Sequence, residues 1–268
     1  MQKVLNFDQR YNFSVREEIV NGLLFRINPI KDDGAGGDLL CDIADLNKIA
    51  IEVNIIRESG RTINQVKGYL DDNLLGMYAQ NVKLALVKAK TGYGYMLRMD
   101  WGNYAVDLRG KDELQVIFYC PKIAFTSTIV SRSQMEFETL VGTHGTSLIP
   151  QVEAFPIGNG EQQVDRNLGS GVVKIVAATD FTTDYLTSDK AKITTGDLKA
   201  DGGYNKPFSE ITLFSDNQHY FDNNPESAVE DMVLYLGKEL NSVKLKATLS
   251  KAADEFAKII VVRLVPSY

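Results

Sequence analysis

The chain has 268 residues, 44% of them hydrophobic and 24% charged, with 29 Lys and Arg against 35 Asp and Glu for a net charge of −6. That describes a globular chain able to build one large core or two of about 120 to 140 residues, and no run of about 18 apolar residues is present to span a bilayer. A basic groove for nucleic acid is excluded too: residues 1–145 carry 17 basic and 18 acidic side chains and residues 146–268 carry 12 and 17, whereas neutralising phosphates takes clustered Lys and Arg.

Residues 1–8 lack the apolar core of a secretory signal, so export by that route is not expected. Residues 23–28 alternate briefly before Pro29, and residues 31–38 form a loop by composition. Residues 48–56 place Ile49, Ile51, Val53 and Ile55 on one face with Lys48, Ala50, Glu52 and Asn54 on the other, the period of a half-buried strand. Thr62-Ile-Asn-Gln65 has the form of a capping box. Ile63, Val66, Leu70, Leu74 and Tyr78 then recur at steps of three or four, which predicts a helix that Gly68 and Gly76 weaken. Strands are predicted at residues 81–87, 95–101, 104–108 and 114–120, with turns at Gly102-Asn103 and Arg109-Gly110. In the last of these strands Val116, Phe118 and Cys120 share one face and Ile117 and Tyr119 the other. Both faces are apolar, as a strand covered on each side requires.

The second half reads similarly. Strands are predicted at residues 148–155, 172–178, 208–214 and 259–265, with Gly158-Asn-Gly160 and Gly169-Ser-Gly171 as breakers. Asn224-Pro225 signals a helix start, an N-cap followed by proline at the first helical position, and Val229, Met232, Val233 and Leu236 continue it at helical spacing. Leu114 to Pro121 and Ile259 to Pro266 are both apolar runs stopped by proline, so the two halves read as finishing alike. Regular alternation of strand and helix is missing. The expected architecture is therefore all-β: two tandem antiparallel β-sandwiches, residues 1–142 and 143–268, each with one helical excursion.

The search for catalytic chemistry is negative. His144 and His219 are the only histidines, too few for histidine-rich metal chemistry, and His144 lies in a turn-like Gly142-Thr-His-Gly145. No Gly-x-Ser-x-Gly elbow exposes a serine. Gly34-Ala-Gly36-Gly37 is followed by Asp38 where a phosphate loop has lysine. Asp32-Asp33 and Asp71-Asp72 are adjacent pairs expected to point apart and stay solvated, which disfavours paired-acid hydrolysis. Cys41 and Cys120 match no disulfide framework or zinc spacing and read as buried thiols. No catalytic residue is assigned, and the chain is not expected to be an enzyme.

A hard cation is the one ligand the composition suggests. Residues 207–237 contain no Lys or Arg but hold Glu210, Asp216, Asp222, Glu226, Glu230 and Asp231, and the loops around Asp197 and Asp201 are rich in oxygen. Calcium takes six to eight such ligands in irregular geometry. Asp197, Asp201, Asp216 and Asp222 are the candidate calcium ligands, although an EF-hand is excluded by Lys199 at its third position and Phe208 at its twelfth.

With two strand-rich halves, a helix in each and no catalytic set, the chain resembles the double jelly-roll major capsid proteins of membrane-containing icosahedral viruses. Within that family it resembles the corticovirus type of marine, lipid-containing bacteriophage. Residues 48–56, 114–121, 224–237 and 259–266 carry the resemblance. It implies a jelly roll in each half and homotrimers whose six barrels form a pseudo-hexagonal block tiling a shell around an internal membrane. It further implies calcium in assembly, vertex and membrane proteins of the virion as partners alongside neighbouring trimers, and assembly in the host cytoplasm. The connections around residues 29–47 and 155–171 would then serve lateral contacts. The alternative reading is a carbohydrate-binding or adhesin-like pair of β-sandwiches, which an exposed aromatic platform would distinguish.

Overall fold

The computed structural model describes residues 3–77, 85–89, 92–178, 193–213, 233–253 and 257–268. In the first half the strands are β1 (Lys3–Leu5), β2 (Arg10–Val15), β3 (Ile19–Asn28), β4 (Ile30–Asp32), β5 (Asp38–Leu40), β6 (Ala50–Ile56) and β7 (Thr62–Tyr69). After helix α1 (Leu70–Met77) come β8 (Ala85–Ala89), β9 (Gly92–Asp100), β10 (Val106–Asp107), β11 (Glu113–Tyr119) and β12 (Gln134–Val141). β4 and β5 pair with each other, and the remaining strands build two sheets, one ordered β1-β12-β3-β9-β8 with β10 on β3, the other β2-β11-β6-β7.

Period-two alternation aims one face of each strand into the core. Along β11, Leu114, Val116 and Phe118 are fully buried and lie opposite Ile55, Val53 and Ile51 of β6. Its other face is only half-buried, so the expected cover on both sides is not complete. Rings lock the two sheets together. Phe118 stacks on Phe25 of β3 at 4.4 Å, Phe25 lies 5.1 Å from Phe137 of β12, and Phe137 stacks on Phe13 of β2 at 4.9 Å.

Residues 62–69 correct the predicted helix. They pair with β6, Ile63 opposite Ile55 and Val66 opposite Val53, and the register slips between Val53 and Asn54 so that Gln65 is an extra, bulged residue. A bulge turns the strand's step of two into a step of three, and that is how Ile63 and Val66 imitate a helical stripe. The helix begins only at Leu70, with Asp71 and Asp72 in its first turn, where carboxylates favour the positive end of the helix dipole.

The bulge also leaves Gln65 with 0% exposure and no protein hydrogen bond to either side-chain amide atom. A buried unsatisfied amide costs about 1–3 kcal/mol. Gln65→Met is therefore expected to raise the melting temperature by several degrees in a thermal melt; an unchanged or lower midpoint would mean that solvent satisfies the amide.

The connection at residues 29–47 is bound into the first half. It forms the β4–β5 hairpin and a 3₁₀ turn at Leu46–Lys48, and backbone bonds join it to residues 124–130: Ala44 N–H to Ala124 O at 2.9 Å, Thr126 N–H to Asp42 O at 3.0 Å and Val130 N–H to Ile30 O at 2.8 Å. Leu39, beside the hairpin tip, remains half exposed.

The second half has β13 (Leu148–Pro156), β14 (Gln163–Gly169), β15 (Val172–Ala178), β16 (Ile193–Ala200), β17 (Tyr204–Pro207), α2 (Phe208–Leu213), β18 (Val233–Leu240), β19 (Val243–Leu249) and β20 (Lys258–Pro266). Its sheets are ordered β13-β20-β15-β18 and β14-β19-β16-β17. Leu168, Ile175, Leu198, Val243, Leu245, Ile259 and Val261 fill its core. The connection expected at 155–171 thus contains a strand, β14.

One expectation here is overturned, and the end of another is corrected. Residues 208–213 are helical where a strand was predicted: Pro207 ends β17 because it has no N–H to donate, and Phe208 and Ile211, three apart, bury one helical face. Most of the helix predicted from Pro225 lies outside the described residues. Val233 and Leu236, which close its stripe, belong to β18, where Val233 pairs with Val176.

By its contacts the chain divides into Met1–Ile149 with Pro266–Tyr268, and Pro150–Val265. The break falls seven residues beyond the expected 142/143, and the last three residues join the first unit, where Ser267 N–H bonds Ser147 O at 2.9 Å.

Candidate functional site

The carboxylates, thiols and histidines that sequence singled out are spread through the chain. Among the described residues no three His, Cys, Asp or Glu side chains converge as a metal group would require. His144 is exposed in a bend, and His219 lies outside the described residues. Asp33 is exposed in the β4–β5 loop, where the N–H groups of Ala35 and Gly37 donate to its carboxylate and hold it below the usual carboxylate range. Asp71 and Asp72 correct the expectation of solvated acids, since the first turn of α1 is buried.

The cysteines are buried and free, as expected. Burial, with Asp8 adding to it, pushes the Cys120 thiol well above its ordinary range, and burial likewise raises Cys41. Neither is poised as a nucleophile, which needs the thiolate. A group that sequence reasoning passed over is Lys174 of β15, buried so deeply that its ammonium is pushed down to about 7. An apolar run gives no warning that its single lysine is buried.

Of the four candidate calcium ligands, Asp216 and Asp222 lie outside the described residues. Asp197 is exposed on β16, directly opposite Lys246 of β19. Lys246 lies in turn opposite Asp165 of β14, with Nζ 3.4 Å from that carboxylate. An ammonium therefore stands in the row between the two acids. Asp201 sits in the exposed turn after β16, accepting the Ser242 hydroxyl at 2.7 Å. Four residues of extended chain separate Asp197 from Asp201 by about 13 Å, too far to share one ion. Sequence could not locate Asp165 or Lys246 beside Asp197, because their partnership depends on strand register.

What distinguishes the chain is its strand order. Setting aside β4, β5, β8 and β10, each unit has eight strands among the described residues, and counting them from one to eight in each gives sheets ordered 1-8-3-6 and 2-7-4-5. This is the interleaving of two Greek keys, and it occurs twice. The sequence matches no family model and no curated protein. Solved structures do match along the whole chain. The STIV MCP superposes with a TM-score of 0.57 at 11% identity, covering 100% of this chain and 97% of that one. The major capsid protein P2 from bacteriophage PM2 gives 0.51 at 10%, covering 99% and 97%. An atomic structure of Sulfolobus Turreted Icosahedral Virus gives 0.54 at 11%, covering 100% and 91%.

The fold is a double jelly roll.

In the double jelly roll the helices α1 and α2 occupy equivalent places, each between the fifth and sixth described strands of its roll. The two proline-closed runs do not: residues 114–121 fall on the seventh strand of the first roll and residues 259–266 on the eighth of the second. The strand equivalent to β20 is β12. No helix among the described residues is long and apolar enough to cross a membrane.

Proposed function

We propose that this chain is a structural major capsid protein, with no catalytic role, that forms homotrimers and tiles an icosahedral shell. The observation that carries the reading is the repetition of one eight-strand order in both halves, together with end-to-end superposition on two capsid proteins of nearly the same length. Two rolls per chain make a trimer a ring of six similar barrels, so one chain type can fill a near-hexagonal tile. Such a closed three-fold ring uses heterologous contacts, one surface of each copy meeting a different surface of the next.

The finer parts of the reading follow the resemblance. The shell encloses a membrane, the trimers meet one another and the vertex and membrane proteins of the virion, and assembly takes place in the host cytoplasm. Calcium belongs to the proposal on composition alone. Because Asp197 and Asp201 are far apart, an ion at either would draw its remaining ligands from elsewhere, most naturally from a carboxylate of a neighbouring copy. Light scattering and electron microscopy of the purified chain test the trimer, and a chelator arm tests the ion.

A further inference from the structure

The outer face of the second roll's β14-β19-β16-β17 sheet contains a hollow of about 530 Å³. Its cause is local. β17 stops at Pro207, opposite Asp197, so among the described residues no strand lies beside residues 193–196 of β16 on that side, and the chain turns into α2. Gly196 allows Phe208 to close the end of the hollow. A Cβ at Gly196 would stand 2.4 Å from the Phe208 ring and 2.5 Å from the Lys246 carbonyl oxygen.

Two cross-strand rows line the solvent side. One is Gln163, Thr248 and Thr195; the other is Asp165, Lys246 and Asp197. Neighbouring strands lie about 4.8 Å apart and same-face residues about 7 Å apart along a strand, so six polar side chains occupy a grid of roughly 10 by 7 Å. The Thr248 hydroxyl donates to Gln163 Oε1 at 3.0 Å, which leaves the Gln163 NH₂ as a donor toward a ligand. Among the described residues the Asp197 carboxylate and the Thr195 hydroxyl have no protein hydrogen bond. Pro207 and Phe208 supply an apolar wall.

This chemistry selects among ligand classes. Within the grid Asp165 and Asp197 outnumber Lys246, which disfavours phosphate and acidic sugars there, while the basic pair Lys199 and Lys244 occupies the next row of the same face. Lys246 holds the position between the acids that a divalent cation would need. The backbone edge left free at the hollow, residues 193–196 of β16 among the described residues, is shorter than the about five or six residues of a typical strand, so a peptide strand would gain few ladder bonds there. Alternating donors and acceptors beside an apolar wall, in a hollow of the size small molecules use, suit vicinal hydroxyls. We propose that this hollow binds a neutral pyranose sugar, with Asp197 accepting from a pair of ring hydroxyls and Gln163 and Thr195 fixing its orientation.

The test uses the full chain in chelator, with the methyl glycosides of glucose, galactose, mannose and N-acetylglucosamine as probes. N-acetylneuraminic acid and inorganic phosphate serve as anionic comparators, and saturation-transfer NMR and calorimetry as readouts. At least one neutral glycoside is expected to bind saturably, Asp197→Asn to weaken it about tenfold or more, and Asp201→Asn, on the same strand's exposed turn outside the hollow, to leave it unchanged. Thr195→Val provides a second lesion should Asp197→Asn fold poorly. Absence of saturable binding, binding of the anions alone, or equal affinity in Asp197→Asn and the parent overturns the proposal. Light scattering on the same preparation separates it from the capsid reading: trimers that ignore every sugar sink this inference alone.

Discussion

Replacing Phe118 with alanine is expected to destabilise the first roll by about 3–5 kcal/mol. Phe118 is fully buried and lies at one end of a chain of rings running through Phe25 and Phe137 to Phe13. Those four residues come from β11, β3, β12 and β2, two strands from each sheet, so the rings hold the sandwich closed across its middle. Truncation removes the transfer free energy of the ring and leaves a cavity between sheets that backbone pairing prevents from collapsing. For a unit of about 150 residues each kcal/mol shifts the melting point by about 2–4 °C, so the midpoint should fall by roughly 10 °C. Ile117→Ala, one residue away on the half-buried face, should cost much less. Thermal melts by circular dichroism compare the two; a loss below about 1 kcal/mol for Phe118→Ala would show that the sheets are held elsewhere.

Purified chain should scatter light as a species of three times 29.8 kDa, and electron microscopy should show it as a near-hexagonal block. An obligate trimer of this kind should bury well over the standard interface of about 1,600 Å² in total, so it should persist into the micromolar range. A monomer throughout that range, with and without calcium, would sink the capsid reading. The same samples test the ion. A cation that binds only the assembled form at one hundred times its dissociation constant stabilises it by about 2.7 kcal/mol per site. Calcium is therefore expected to raise the trimer's melting point relative to chelator, and identical midpoints would leave Asp197, Asp201, Asp216 and Asp222 as ordinary surface.

Where a strand obeys strict alternation, its existence was legible from residues alone. Residues 50–56 and 113–119 are strands close to where periodicity put them, because a half-buried pleat imposes its period directly on composition, and residues 148–156, 172–178 and 258–266 are strands close to where apolar runs bounded by breakers or proline put them. Legibility failed where a local device broke the period. The Gln65 bulge made a strand spell a helix, and Pro207 turned a strand-like run into α2. The candidate site was less legible still. Asp197 was found by its residue type, but its neighbours Lys246 and Asp165 are 49 and 32 residues away and meet it only through register.

The sequence by itself determined that this is an all-β chain in two comparable halves with buried cysteines. Those properties depend on composition and on near-neighbour spacing, which a linear reading contains in full. Only the tertiary structure decided the order in which strands meet. β1 pairs with β12, joining Lys3 to Phe137, and β13 lies beside β20 across more than a hundred residues. Backbone hydrogen bonds are the same for any pair of strands, so sequence places little restriction on which strands become neighbours; burying both apolar faces at once selects the 1-8-3-6 and 2-7-4-5 arrangement. The hollow beside Asp197 exists for the same reason, as a product of where β17 stops against β16 rather than of any motif along the chain.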